Sequence, residues 1–498
     1  MRRLAHSGVL IPKAYEPKGF HILAKGQKVA LNPEQEEMAV AWVKKLDTEY
    51  VDDPVFVKNF FKDFCDALGV KNLGPQDFDF TEIVKHVADE KNLKLSMSKE
   101  EKKKLAAERK ALRETNKEKY GHAEVDGAKV DLGNYLVEPP CIFMGRGKHP
   151  LRGRWKKGAT ESDVTLNLSP GAPIPEGHWK DRVWQPDSMW VAKWDDKLRG
   201  NEKYIWLSDS SGPKQEREIE KFDKATELEK MVRKIQSHIE SNLRSEDIKR
   251  RKIATVCYLI DALKFRVGDE KDKDEADTVG ATTLRPEHIK IKPNGLTTFD
   301  FLGKDSVRFF REIMLPEPVV NNILELQKST KSQLFESVRS DNVGEFLSEV
   351  MPGLTAKVFR TYHATKAVRE YLEKAKVSKS DPDYLKKNAA TMANLEAARI
   401  CNHKRKLPKK WHESLAKKVE RLRKLKSTKT KRSKERVKEL KVKIDTMKVT
   451  RDYNLGTSLK SYIDPRIYSE WFSKIDLDWK NFYSKTLQRK FSWVEWAE

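Results

Sequence analysis

Short strand-like runs and helical periods of apolar residues alternate along residues 1–211, which predicts a mixed α/β region. Within it, a hairpin that turns at Lys25-Gly26 precedes a helix that Asn32 caps and that extends through Leu46. Later strand-like segments contain four tryptophans, whose expected role is core packing rather than base stacking: Trp184, Trp190, Trp194 and Trp206.

Two helices of this region differ in polarity. Residues 59–64 belong to a helix with an aromatic face, whereas a capping-box pattern at Ser98 and Glu101 begins a highly charged helix over residues 99–120. The few apolar positions of the charged helix predict a solvent-exposed element. Turn-forming residues cluster at 208–213 and indicate a domain boundary there.

Beyond this boundary the apolar period becomes mainly helical. Gly268 is expected to end one helix, which places Arg266 in the last helical turn. Residues 297–310 alternate as a hairpin with Lys304 at its tip. The buried face of the first helix is predicted from residues spaced three and four apart, namely Ile253, Val256, Ile260 and Leu263.

Two later helices carry basic or imidazole side chains. Thr355 is expected to cap a helix on which Lys357 and Arg360 share one face. A further helix over residues 384–401 ends just before His403. A structural role is the usual expectation for a single histidine in that position.

The last part of the chain begins with a strongly basic stretch. Residues 409–448 place apolar side chains at heptad-like spacing among Lys and Arg, which predicts an antiparallel helical hairpin, mostly a solvated coiled-coil spacer. Tyr462 then comes just before a helix that Asp464 caps and Pro465 begins. The free N–H groups of such a helix start favour an anion beside the phenol.

Composition narrows the choice of partner. The 498 residues contain 99 Lys plus Arg against 76 Asp plus Glu, and the formal net charge of +23 favours a polyanion such as nucleic acid. Because the sequence has neither a long uncharged apolar run nor a signal-peptide core, we expect a soluble intracellular protein. Widely spaced cysteines suggest neither zinc nor disulfides and are expected to be buried thiols: Cys65, Cys141, Cys257 and Cys401.

One loop combines glycine with positive charge. Residues 138–152 bring Arg146, Lys148 and Arg152 together with two glycines, so that backbone and cations can approach a phosphate together. The stretch is expected to contain no regular element.

Six strings of residues occur in one order along the chain. They are EPP-x-x-F-x-GRG-x-HP at 138–150, ADTVG at 276–280, FDFLGKDS at 299–306, GLTAKVFRTY at 353–362, CNH at 401–403 and LGTS-x-x-x-Y-x-DPRI at 455–467. With these strings the sequence resembles eukaryotic type IB DNA topoisomerases over nearly its whole length.

The resemblance implies that Tyr462 is the nucleophile and that Arg266, Lys304, Arg360 and His403 complete the active site. A phenol is a weak nucleophile at neutral pH, so cations must favour the developing phenolate and phosphorane charge. The arginine forks match phosphate oxygens, His403 would donate to a non-bridging oxygen, and Lys304 is the family's general acid for the leaving 5′ oxygen. No metal or other cofactor is expected, because the side-chain cations already neutralise the charge, and no ATP is expected, because reversal of the transesterification reseals the strand.

The implied fold class is multidomain α+β. It comprises a bilobed DNA clamp with a mixed α/β cap over 1–211, a mainly α catalytic domain of the tyrosine recombinase/type IB topoisomerase kind over 212–405, a helical-hairpin linker over 406–450 and a small helical C-terminal domain over 451–498.

The implied function is relaxation of positive and negative supercoils in double-stranded DNA through a 3′-phosphotyrosyl intermediate. We expect a nuclear monomer that does not bind membranes and that contacts DNA mostly through backbone phosphates. Further DNA contacts are implied for Arg146, Lys148, Lys203, Tyr204, Lys271, Thr278, Asp305, Lys357 and Thr457.

The sequence departs from the family pattern next to the nucleophile. Leu459 stands where the family has a lysine, with Lys460 one step later, and Ser461 replaces an asparagine that contacts camptothecin-type poisons. We therefore expect reduced sensitivity to camptothecin. Relative to the family, we expect no long charged N-terminal tail and a short linker. The remaining departures are Met144, Lys148 and Asp269.

Three other functions compete with this one. A tyrosine recombinase shares the Arg, Lys and Tyr chemistry, but that family usually has His where Lys357 stands and lacks the long cap region. A catalytically idle DNA clamp or scaffold is opposed by the presence of all five active-site residues. Membrane-surface binding is less favoured still, because the basic helices lack broad apolar faces.

Overall fold

The computed structural model describes residues 1–145, 147–268, 279–427 and 430–496, without the side chains of Asp305 and Lys431. Its described residues form two compact units, one from Met1 to Lys214 and the other from Gln215 onward. Each unit contains its own clusters of buried apolar side chains. Among the described residues, no helix is both long enough and apolar enough to cross a membrane.

The first unit mixes helices with small sheets. Its sheets have the strand orders β1-β5-β6, β3-β2-β4, β7-β8 and β10-β9-β11-β12. The strands are β1 (Leu4–His6), β2 (His21–Ala24), β3 (Gln27–Ala30), β4 (Phe78–Asp79), β5 (His122–Val125), β6 (Ala128–Asp131), β7 (Cys141–Ile142), β8 (Trp155–Lys156), β9 (Thr165–Asn167), β10 (Asp181–Val183), β11 (Trp190–Asp195) and β12 (Glu202–Trp206). The helices are α1 (Pro33–Val43), α2 (Pro54–Leu68), α3 (Thr81–Ser96) and α4 (Lys99–Tyr120).

The local signals of the first unit are largely confirmed. Lys25 and Gly26 have φ of 48° and 77° and form the two-residue turn between β2 and β3. Asn32 and Ser98 make the predicted capping boxes of α1 and α4, and α4 has no buried residue. The predicted end of α1 at Leu46 is wrong. The helix stops at Val43, and the chain beyond it forms tight turns.

Strand alternation explains two corrections in the first unit. Trp206 is 42% exposed, because it lies on the edge strand β12, on the face opposite the buried Ile205. Cys141 is likewise exposed on β7, whereas its neighbour Ile142 is buried. The stretch 138–152 therefore contains a short strand, contrary to the prediction.

The second unit is mainly helical around the three-stranded sheet β13-β14-β15. Its strands are β13 (Ile289–Ile291), β14 (Leu296–Gly303) and β15 (Val307–Met314). The helices are α5 (Gly212–Asn242), which starts within the last residues of the first unit, α6 (Ile248–Leu263), α7 (Glu317–Ser329), α8 (Ser340–Ser348), α9 (Ala356–Lys374), α10 (Asp383–Ile400), α11 (Trp411–Ser427), α12 (Lys431–Val449), α13 (Leu455–Ser461), α14 (Pro465–Lys474) and α15 (Lys485–Lys490).

The helix before Arg266 ends earlier than predicted. Lys264 adopts the left-handed conformation, with φ of 59°, and caps α6 at Leu263, so Gly268 is not the stop. Arg266 consequently lies in the loop after α6 rather than in its last turn. The hairpin of β14 and β15 is confirmed, with Lys304 in the turn that joins the two strands.

The basic hairpin is confirmed as a pair of helices, but it is not a free spacer. The second helix, α12, also packs against α10 and buries Leu440 and Ile444. Thr446 Oγ1 lies 2.5 Å from Asn388 Oδ1, and Tyr384 donates to Glu435 at 3.1 Å. One face of this helical hairpin is therefore fixed to the helix that precedes His403.

Candidate active site

Arg360 lies near the start of α9 and is buried, although Lys357 on the same turn is exposed. The two side chains differ in exposure because the guanidinium of Arg360 turns inward to two backbone carbonyls. It donates from Nη1 to Lys264 O at 2.6 Å and from Nη2 to Cys401 O at 2.9 Å. The group is thereby fixed between the C-terminal ends of α6 and α10.

His403 is placed by the end of α10. Asn402 adopts a left-handed φ of 53°, and the His403 N–H bonds back to Ala398 O at 2.8 Å, which closes the helix. The His403 carbonyl in turn accepts from the Asn454 N–H at 2.7 Å. The imidazole is buried, with Nε2 3.3 Å from Arg360 Nη2.

Burial and neighbouring charge control the protonation of His403. Burial, with a smaller effect of the cations Arg360 and Arg266 in the same direction, lowers the pKa of His403 to about 3. The imidazole is therefore neutral at physiological pH. Because a guanidinium can only donate, Nε2 accepts from Arg360, and the single proton of the ring sits on Nδ1.

The aromatic ring of Tyr462 lies next to the side chains of Arg360 and His403. It is the C-terminal cap of α13, and its half-buried ring lies 5.0 Å from the His403 ring and 5.1 Å from the Arg360 guanidinium carbon. The latter arrangement is a cation–π contact. Residues 360, 403 and 462, far apart in sequence, thus form one cluster.

The helix start after Tyr462 is capped as predicted. Asp464 accepts from the Arg466 N–H at 3.0 Å and pairs with the Arg466 guanidinium at 2.8 Å, and Pro465 is the first helical residue. The carboxylate of Asp464 thus already occupies the N-terminus of α14. The positive charge next to Tyr462 comes from Arg360 rather than from this helix start.

Arg266 and Lys304 line a cleft next to the cluster, together with Arg360, His403 and Thr457. Phe265, the residue before Arg266, packs against three phenylalanines of the β14–β15 hairpin, which ties the arginine loop to the lysine turn. Both cationic side chains are exposed to solvent. The cleft therefore has two exposed cations, Arg266 and Lys304, and one buried and fixed cation, Arg360.

Family models match this chain from end to end. The eukaryotic DNA topoisomerase I DNA binding fragment matches residues 1–207, its catalytic core matches 210–438, and a C-terminal topoisomerase domain matches 434–498. Human mitochondrial DNA topoisomerase I is 32% identical across 99% of this chain and 90% of its own length. The chain belongs to the eukaryotic DNA topoisomerase I family. The resemblance drawn from the sequence motifs is thereby confirmed.

Other topoisomerase I relatives extend beyond the matched region. Arabidopsis thaliana DNA topoisomerase 1 beta is 35% identical across 99% of this chain but only 58% of its own length. Human DNA topoisomerase 1 is 32% identical across 99% of this chain and 70% of its own length. The chain thus spans little more than half of the plant relative.

The residues expected to contact DNA fall into three groups. Thr457 lies in the cleft wall, and Lys357 is exposed on α9. In the first unit, Lys203 and Tyr204 are half-buried on β12, and Lys148 is exposed in its loop. The predictions for Arg146, Lys271, Thr278 and the Asp305 side chain lie outside the described residues.

Two of these first-unit side chains have acidic partners. Lys203 lies 3.9 Å from Asp196, which is fully buried, and Tyr204 donates a short hydrogen bond to Glu202. The bond to Glu202 is the main cause that raises the pKa of Tyr204 to about 12. The phenol of Tyr204 is therefore a neutral donor at physiological pH.

The sequence did not single out several residues of the cleft as functional. Lys264 and Lys404 line it, as do Asn402 and Asn454. Asn402 carried a usable signal, because asparagine is one of the few residues that adopt the left-handed conformation readily. Lys264 contributes to the site through its backbone carbonyl, which accepts from Arg360. Since every residue has a backbone carbonyl, the residue type gives no indication of this role.

Proposed function

We propose that this chain nicks one strand of double-stranded DNA, lets it rotate to relax positive or negative supercoils, and then reseals it. The observation that carries the proposal is a pair of buried nitrogens beside Tyr462. Arg360 Nε and His403 Nδ1 have no hydrogen-bond partner within the described part of the chain. Buried donors without partners are rare in folded proteins, and a phosphate oxygen is the acceptor that suits both.

Tyr462 is the proposed nucleophile. Its phenolic oxygen attacks the scissile phosphorus, the bond from phosphorus to the 5′ oxygen breaks, and a 3′-phosphotyrosyl ester forms. The phenolic proton leaves to solvent, and Lys304 supplies a proton to the departing 5′ oxygen. Attack by the same 5′ hydroxyl on the ester reverses each step and releases Tyr462.

The cations stabilise the charge that develops on the phosphate. Arg360 is already oriented by two carbonyls and offers its Nε–H to a non-bridging oxygen, while Arg266 approaches from the solvent-exposed side of the cleft. His403 acts as a neutral donor through Nδ1. Because the side-chain cations neutralise the developing charge, the reaction needs no metal ion, and because one ester is exchanged for another, it needs no ATP.

The same proposal assigns roles to the parts of the chain. Residues 1–211 act as the cap of a DNA clamp, 212–405 as its catalytic half, 406–450 as a basic linker and 451–498 as the domain that carries Tyr462. We propose that the protein acts in the nucleus as a monomer. Binding is mostly to phosphates and therefore weakens as salt rises. Its DNA contacts include Arg146, Lys148, Lys203, Tyr204, Lys271, Thr278, Asp305, Lys357 and Thr457.

A plasmid relaxation assay in EDTA without ATP tests the proposal. We expect supercoils of either sign to relax, and we expect Tyr462→Phe to bind DNA but not to relax it. Relaxation by that variant would exclude Tyr462 as the nucleophile. A requirement for Mg²⁺ would contradict the metal-free mechanism. Binding without relaxation by the wild type would favour an idle clamp. Exchange of strands between two duplexes would favour a recombinase.

A further inference from the structure

The backbone on both sides of Tyr462 is held by side chains from other helices. Lys221 of α5 donates from Nζ to Ser461 O at 3.2 Å, across 240 residues of sequence. Thr365 of α9 donates from Oγ1 to Tyr462 O at 3.3 Å. The two carbonyls that flank the Tyr462 Cα are therefore both hydrogen-bonded to residues outside the C-terminal segment.

The Ser461 carbonyl needs such a donor. It lies at the end of α13, where the last carbonyls of a helix have no partner within the helix. The N–H groups of Tyr462 and Ile463 both bond back to Ser458 O, at 2.9 Å and 3.2 Å. Lys221 thus supplies a bond that the helix itself leaves unmade.

Thr365 holds the other side in a similar way. Its hydroxyl donates to Tyr462 O and accepts from the Asp464 N–H at 3.1 Å. A single hydroxyl thereby links the nucleophile to the cap of α14. Thr365 is also on the same helix as Arg360, so the helix that orients the phosphate-binding cation also holds the Tyr462 backbone.

Lys221 is itself fixed by an acidic partner. Its Nζ lies 2.9 Å from Glu218, which also pairs with Lys490 at 3.2 Å. Burial lowers the pKa of Lys221 against the opposing effect of Glu218. A lysine held in this way has little freedom to leave the Ser461 carbonyl.

We infer that Lys221 and Thr365 are positioning residues that aim the Tyr462 phenol at the scissile phosphate. With both flanking peptide groups fixed, φ and ψ of Tyr462 are set at −125° and −17°, outside the helical values of α13. These angles direct the Cα–Cβ bond and hence the ring toward Arg360 and His403. The inference rests on the proposed function, because it assumes that Tyr462 is the nucleophile.

The test measures single-turnover cleavage of a duplex whose cleaved strand releases a short fragment, so that religation cannot occur. Lys221→Met removes the donor but keeps a similar side-chain length, and Thr365→Val removes the hydroxyl at similar volume. Lys221→Arg and Thr365→Ser keep a donor. The matched control is Lys230→Met, an exposed lysine on the same helix.

We expect Lys221→Met and Thr365→Val each to lower the cleavage rate constant by about 100-fold, the size of a roughly 1 Å misplacement of a reacting group. DNA affinity and the final amount of cleaved product should stay unchanged, and the donor-keeping variants should recover most of the rate. A rate constant equal to that of Lys230→Met would overturn the inference. So would a reduced amount of product at an unchanged rate constant, because that result reports misfolded protein.

Failure of the proposed function gives a different result. If Tyr462 is not the nucleophile, then Tyr462→Phe retains cleavage, or the wild type does not cleave at all. The inference fails separately when wild-type cleavage depends on Tyr462 but is insensitive to Lys221→Met and Thr365→Val.

Discussion

The guanidinium of Arg360 donates to the carbonyl oxygen of Lys264 at 2.6 Å. Lys264 is the left-handed residue that ends α6, and this conformation turns the chain away from the helix axis. The second bond of Arg360, to Cys401 O, reaches the end of α10. One side chain therefore fixes two helix ends as well as facing Tyr462, so the geometry of its guanidinium matters in addition to its charge.

Replacement of this arginine by lysine tests that conclusion. We expect Arg360→Lys to lower the single-turnover cleavage rate constant by at least about 100-fold, because an ammonium cannot span both carbonyls and still offer a donor to phosphate. The control is Arg369→Lys on the same helix, which loses a paired contact to Glu229 and is not among the described residues that line the cleft. Similar cleavage rate constants in the two variants would contradict the proposed role of the Arg360 guanidinium.

The neutral state of His403 leads to a prediction about pH. We expect His403→Gln, which keeps an N–H donor, to cleave faster than His403→Leu and to retain the wild-type shape of the rate profile from pH 5 to 8. The reason is that the pKa of His403, lowered to about 3, keeps the ring neutral throughout that range. Loss of an acid limb in the glutamine variant would show that His403 titrates there.

The same pKa shift also acts on stability. Because the pKa of His403 in the folded state is below its ordinary value of 6.5, acid protonates the unfolded chain first. The contribution of neutral His403 to the free energy of unfolding is therefore complete above pH 6.5 and is lost as pH falls toward about 3. The loss is about 1.4 kcal/mol for each pH unit crossed. We expect His403→Gln to flatten this part of the unfolding free energy against pH, measured with urea, relative to the wild type.

Local structure was predictable where a side chain forms hydrogen bonds with residues close to it in sequence. The caps at Asn32, Ser98 and Asp464 depend on residues two or three positions away, and all of them were found where the sequence placed them. The end of α6 was not predictable, because lysine rarely adopts the left-handed conformation that Lys264 has.

The site was predictable only through its strings of neighbouring residues. No single property of Arg266 or His403 distinguishes it from a structural residue, and the family resemblance brought the five together. The bonds that orient them join distant residues, such as Lys221 to Ser461 and Arg360 to Cys401. Such bonds leave no periodic trace in the sequence, because they depend on how complete helices pack.

Ser461 offers a test of drug sensitivity. We expect the wild type to form few stabilised cleavage complexes with camptothecin, and Ser461→Asn to form more, because asparagine restores the family's usual side chain next to Tyr462. Complexes are counted as covalently trapped plasmid after detergent. Lys460→Asn, one position earlier on the exposed side of α13, serves as the control. Strong trapping by the wild type at ordinary drug doses would refute the expectation.

Glu36 provides a test of stability in the first unit. Its buried carboxylate accepts from the Tyr15 hydroxyl at 2.8 Å and from the backbone N–H groups of Lys18, Gly19 and Phe20 at 2.7 to 3.0 Å. Burial alone would raise the pKa of Glu36, but these hydrogen bonds outweigh it and lower the pKa below its ordinary value of 4.5. The charged form is therefore the one that stabilises the fold.

We expect Glu36→Gln to lower the free energy of unfolding by about 3 kcal/mol at pH 7, because an amide NH₂ would face N–H donors where the carboxylate accepts. The difference in the free energy of unfolding between the wild type and Glu36→Gln should be complete above pH 4.5. It should disappear as pH falls through the lowered pKa of Glu36. Glu37→Gln is the control, since Glu37 makes none of these bonds. Urea unfolding of the full chain at several pH values measures both effects, and equal stability of the two variants at pH 7 would contradict the prediction.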